Sequence, residues 1–180
     1  MILWVRFDSN EWFVLVMLLV FFAAVYFLPK RLPRSLMILG LIWGFASATL
    51  FDFTIGGGLM DFYKVNDSNR YELTDLLTYV MFAPFGYFFI YFYDLLKINK
   101  RTFLLYVLAW SAAGMAFQWL AAWMGMTHYQ HGYRPAYNFG VFLTVQTATG
   151  LYYEYLRKRK SIVRHREKSS RLHLNRSFPR

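Results

Sequence analysis

Cysteine is missing from the 180-residue chain, which excludes disulfides, thiolate catalysis and Cys-based metal sites while leaving the compartment open. Catalytic signatures are missing too. There is no nucleophile elbow and no dinucleotide fingerprint, and the Gly56-Gly57-Gly58 run lacks the strand and the Lys-Ser/Thr of a phosphate loop. Charge is missing over long distances: 12–28, 36–51, 76–93, 103–126 and 139–153 contain no Asp, Glu, Lys or Arg. At a rise of ~1.5 Å per residue and a hydrocarbon core of ~30 Å, about 20 apolar residues cross a bilayer. The second and fifth stretches reach that length by including Asp52 and Glu154 near an end.

These stretches predict an all-α integral membrane protein with five transmembrane helices, at about 12–28, 35–55, 76–96, 102–126 and 136–156. A single transmembrane domain then covers 1–156, and 157–180 is a basic cytoplasmic tail. Asp8 and Glu11 stand where a signal peptide would carry basic residues, so 12–28 is read as a retained first helix. Phe, Tyr and Trp make up 22% of the chain, and aromatic belts at the two interfaces would account for Trp4, Trp12, Tyr26, Tyr71, Tyr79, Tyr91, Tyr93, Tyr152, Tyr153 and Tyr155.

Orientation follows from the basic residues. Alternate connections hold Lys30, Arg31 and Arg34, then Lys97, Lys100 and Arg101, then the tail, for sixteen Lys and Arg. The opposite side holds Arg6, Lys64, Arg70 and Arg134. Cytoplasmic loops carry the basic excess, so the N-terminus is expected outside and the C-terminus in the cytoplasm. Ten of the 20 basic residues crowd into the last 24 positions. Directly after a span, such a segment reads as an orienting tail held at anionic lipid headgroups, with Arg157, Lys158, Arg159 and Lys160 as the first contacts, and not as a nucleic-acid site. It should be mobile, or helical only near Tyr155.

Three groups of residues carry candidate function. Asp52 interrupts a candidate span; a carboxylate inside a membrane costs about 2.5–3.5 kcal/mol at a helix centre and so points to a substrate or proton role, whereas near the helix end it is a solvated interfacial acid. Asp52 joins Asp61, Glu72, Asp75, His128 and His131 in a candidate polar site at the outer face. His128-x-x-His131 would share a helix face and suits zinc or manganese, but it is not HExxH, and Gly132 and Pro135 disfavour a helix there. No metal, cofactor or catalytic residue is assigned. The fourth span offers a helix-packing seam of small and polar residues, Ser111, Gly114, Gln118 and Gly125. The fifth offers Asn138, Thr144, Gln146, Thr147 and Thr149, read either as packing or as the polar lining of a small cavity or conduction path.

Tyr71-Glu72-Leu73 leading into Tyr79-Val80-Met81-Phe82-Ala83-Pro84-Phe85, with His128, Tyr133 and Tyr137-Asn138-Phe139, resembles a small family of uncharacterised multi-pass membrane proteins found mainly in spore-forming Gram-positive bacteria. The shared features are a glutamate–aromatic entry, a phenylalanine-x-proline helix and a histidine–aromatic approach to the last helix. The likeness covers about 70–157, and the chain lacks the Trp-rich version of that last approach. It implies a bacterial cell or spore membrane and no reaction, cofactor or substrate.

Three functions compete on these grounds. The first is a non-enzymatic envelope protein acting through helix association, as a homo-oligomer or with a membrane partner. The second is a small oligomeric transporter, channel or ligand-binding protein using Asp52 and the polar fifth helix. The third is a membrane enzyme built on the outer-face His and acid set.

Overall fold

The computed structural model describes residues 7–66 and 72–177, and over 160–177 the backbone alone. Trp4, Arg6, Arg70, Tyr71 and the expected turn beyond Asn66 lie outside the described residues, as does the Lys160 side chain. The elements run α1 Ser9–Phe27, α2 Arg34–Thr54, β1 Tyr63–Val65, α3 Leu73–Leu95, α4 Phe103–Trp123, β2 Thr127–Tyr129, a 3-10 turn Pro135–Tyr137 and α5 Asn138–Ser177. Among the described residues four helices, α1 to α4, are long and apolar enough to cross a membrane. The first half of α5 carries Thr144, Gln146, Thr147, Thr149 and Glu154, and α5 is not among the four.

Helix starts are set by local chemistry. The Glu11 carboxylate accepts the Asp8 N–H at 2.9 Å, a capping box that starts α1 at Ser9, three residues before the charge-free run. Asp75 accepts the Glu72 N–H at 2.9 Å and the Asn66 side-chain amide at 2.7 Å, which fixes the start of α3. At the end of α4, the Met126 N–H reaches the Ala121 carbonyl (2.9 Å) and the Gly125 N–H that of Ala122 (3.1 Å). This Schellman ending needs the left-handed backbone that Gly125 adopts at φ 83°. Gly125 therefore terminates the helix and does not belong to the expected packing seam. Past Leu156 the α5 helix runs on to Ser177 and so crosses the expected boundary with the tail. The Lys, Arg, Glu and Leu residues of that segment are good helix formers.

The helices alternate in direction. At one end β1 and β2 pair antiparallel, Lys64 opposite His128, forming a small hairpin-like cap. At the other lie the connections rich in Lys and Arg and the start of the basic segment; these are the hairpin end and the tail end. The described chain is mostly helical, in keeping with the all-α expectation; the two strands, of three residues each, were too short to show as an alternating pattern.

α3 is the central helix. It is the least apolar of the four candidate spans, yet much the most buried. It packs most extensively on α2. There Gly40 and Gly44 face Gly86 so closely that a Cβ on Gly86 would lie 2.2 Å from the Gly40 carbonyl oxygen, and one on Gly44 would lie 2.3 Å from that of Ala83. Small residues four apart let two backbones touch. The main close-packing seam is therefore α2 on α3. On α4 only Gly114 makes a comparable approach, its missing Cβ replaced by the Phe142 ring of α5 at 2.9 Å.

Exposed apolar side chains cover the outside of the bundle, including Leu19, Leu104, Leu105, Trp119 and Trp123. Trp12, Tyr26, Tyr152 and Tyr155 are exposed as belt residues would be, but Tyr79, Tyr91, Tyr93 and Tyr153 are buried. Their position near helix ends suggested an interface. The hydroxyls of Tyr79, Tyr93 and Tyr153 instead find carboxylates inside the bundle, which makes burial affordable.

Candidate functional site

A cavity of about 170 Å³ opens between α2, α3, α4 and α5 in the hairpin half of the bundle. It reaches no deeper along each helix than Trp43, Gly86, Trp110 and Thr149. Its floor is a cross-brace in which Trp43 Nε1 donates to Thr149 Oγ1 at 2.7 Å, tying α2 to α5. Beneath the floor the tail half is filled by Phe89, Ile90, Tyr93, Tyr106, Val107 and Tyr153. Its roof is the strand cap, where Tyr63, Thr127 and Met126 meet Asn138 at the start of α5.

The walls are mainly apolar, with many aromatic rings. Asp52 is the acid among them, in the last turn of α2, and it accepts a hydrogen bond from the Tyr79 hydroxyl across the α2–α3 interface. Asp52 is thus neither at mid-span nor freely solvated: it lines the cavity. No Lys, Arg or His lines it among the described residues. Thr78, next to Tyr79, is 2% exposed, and its hydroxyl is buried at the cavity wall without a hydrogen-bond partner. Burial, with the Asp52 carboxylate the next largest influence, pushes the Tyr63 hydroxyl well above its ordinary pKa, so it stays protonated as a donor in the roof. Tyr129 and Tyr133 behind it are also shifted up by burial.

Of the polar residues on α5, Asn138, Gln146 and Thr149 line the cavity. Thr144 is exposed and donates back to the Gly140 carbonyl, and Thr147 does not reach the cavity. Gln118 of the expected α4 seam is a cavity residue. Ser111, from the same seam, is wholly buried, with its hydroxyl unpartnered, and lies off the cavity wall.

The expected outer-face set does not come together as one site. Asp52 is in the cavity. Glu72 and Asp75 are occupied in starting α3. Asp61 and His131 meet at the cap, where His131 Nδ1, which must carry the proton, donates to the Asp61 carbonyl at 2.7 Å and lies 3.9 Å from its carboxylate. The Gln130 amide also donates to that carboxylate, at 2.6 Å. His128 is exposed opposite Lys64. Among the described residues no three of His, Asp and Glu come close enough to hold a metal ion. Sequence spacing linked these groups because the loops that carry them meet at one end of the bundle, whereas each side chain is drawn to a different local partner.

At the tail end Tyr93 donates to Glu154 at 3.0 Å, Arg157 pairs with Glu154 at 3.3 Å, and Tyr153 donates to Asp94 at 3.3 Å. Arg159 lies over the Tyr155 ring at 4.9 Å. Trp43, Thr78 and Tyr79 were not singled out from the sequence as site residues. The Gly40-x-x-x-Gly44 spacing could have found the α2–α3 contact, and with it the partners of Asp52.

No protein-family model, curated protein or solved structure matches the chain. Its function is therefore read from the cavity.

Proposed function

We propose that the chain is a five-span membrane protein, N-terminus outside and C-terminus cytoplasmic, that binds a small, largely apolar molecule in the outer half of its bundle. The observation that carries the reading is the cavity itself: apolar walls, a few convergent polar groups and one carboxylate, closed below by a packed plug. That is the usual make-up of a small-molecule site. A cavity of about 150 Å³ in another protein takes benzene, so roughly a phenyl ring with a short substituent matches the space here. The plug favours binding over continuous conduction.

The fifth span in this reading is the first part of α5, three of whose polar residues, Asn138, Gln146 and Thr149, line the cavity. The basic residues from Arg157 onward lie at anionic headgroups of the cytoplasmic leaflet. A bacterial cell or spore membrane is proposed from the resemblance over 70–157 alone.

The test uses the protein in nanodiscs of zwitterionic lipid, titrated with 2-phenylethanol by calorimetry. Saturable binding is expected, and Ser47→Phe, which puts a ring into the cavity, should abolish it. Binding that is undiminished in the filled variant would place the ligand elsewhere and defeat the reading. A reporter fused after Lys160 should lie in the cytoplasm and one inserted at Asn66 outside; both on one side would remove the fifth span.

A further inference from the structure

We propose that the ligand of this cavity is a small organic cation, an ammonium or quaternary ammonium group on an apolar body of roughly ten heavy atoms or fewer. The inference rests on the reading of the cavity as a binding site and adds the chemistry of its occupant.

The first support is a charge inventory. Glu154, at the tail end, accepts from a tyrosine and has Arg157 within 3.3 Å. Asp52 accepts from a tyrosine in the same way, but no basic side chain lines the cavity it faces among the described residues. A carboxylate in an apolar setting is costly unless a counter-charge or several donors attend it. The chain builds that counter-charge in at one end and leaves room for one at the other.

The second support is the wall. Trp43, Phe51, Tyr63, Tyr79 and Trp110 line the space, and an aromatic ring attracts a cation that sits over its negative face. Helix dipoles do not decide the matter, because α2 ends beside Asp52 while α5 begins at Asn138, and their opposite ends offset. An anion would meet a carboxylate and no cation. A bare metal ion would find a single carboxylate, and among the described residues no three His, Asp or Glu side chains come together to hold one.

Three probes of nearly the same shape separate the possibilities: 2-phenylethylammonium, 2-phenylethanol and phenylacetate, titrated into the full chain in zwitterionic nanodiscs at neutral pH and fixed ionic strength. The cation should bind about tenfold more tightly than the alcohol, the scale of a partly desolvated cation–aromatic contact, and phenylacetate should bind weakest. Asp52→Asn should bring cation and alcohol to near equality. Tyr79→Phe keeps the carboxylate and should keep the preference. Ala48→Lys, one turn before Asp52 on α2, should supply an internal counter-charge and remove the preference with Asp52 still in place. Equal binding of cation and alcohol to the unaltered protein would overturn the inference and leave the cavity reading standing. So would a cation preference that survives both Asp52→Asn and Ala48→Lys. Failure of all three probes to bind would overturn both.

Discussion

In the tail half of the bundle, rings and aliphatic side chains fill the space between α3, α4 and α5, and Glu154 is matched by Tyr93 and Arg157. In the hairpin half, the same helices stand around an open space, and Asp52 has Tyr79 with no basic residue in the surrounding wall among the described residues. The difference lies in what bridges the gap. Below, Phe89, Tyr106 and Tyr153 reach across it. Above, the small Ser47, Ala48 and Gly114 leave it open, and a cross-brace from Trp43 to Thr149 marks the border. The tail half is packed across this gap, whereas the hairpin half packs Phe13, Val14, Met81, Ala121 and Met126 beside an open cavity.

The largest effect should come from the seam on which both halves hang. Gly86→Val would push a branched side chain into the Gly40 carbonyl, and overpacking of this kind costs about 3 kcal/mol or more, read as loss of the unfolding midpoint in mixed micelles. A midpoint close to that of the unaltered protein would mean that α2 and α3 are not in backbone contact.

Added volume should then distinguish the halves. Val107, 1% exposed in the tail half, has no space beside it, so Val107→Phe should cost about 2 kcal/mol. Ser47→Phe enters the cavity and should cost less than about 1 kcal/mol on the same measure. Equal costs would erase the contrast. A smaller effect is expected for Tyr106→Phe, which removes the hydroxyl that donates to the Phe89 carbonyl at 2.6 Å, about 1 kcal/mol for one buried hydrogen bond.

Much of the scaffold was legible in the sequence. Runs without charge located α1 to α4 because lipid tolerates few charges, and Gly56-Gly57-Gly58 and Pro33 bracketed α2. What was hidden depends on contacts between distant residues. Tyr79, Tyr93 and Tyr153 look interfacial in sequence, and only Asp52, Glu154 and Asp94, each on a different helix from its tyrosine, explain their burial. The Gly40–Gly44 pair was readable, but the richer small-residue content of α4 drew the seam there, where Gly125 proves to be a helix stop. Asp52 and the polar stripe of α5 were visible as candidates. Their convergence on one cavity was not, because it requires α2 and α5 to be neighbours. Glu72 and Asp75 looked like chemistry and serve a helix start, an ambiguity that carboxylates near helix N-termini always carry.

The most direct test of the contrast uses the absence of native cysteine. Ser47→Cys puts a thiol in the hairpin-half cavity and Val107→Cys puts one in the tail-half plug, each the single thiol in the chain. A small cationic methanethiosulfonate reagent, added to the outside of intact cells, should label the Ser47→Cys protein readily and leave the Val107→Cys protein unlabelled. Labelling of both at similar rates, or of the Val107→Cys protein alone, would contradict the account of one open half and one packed half.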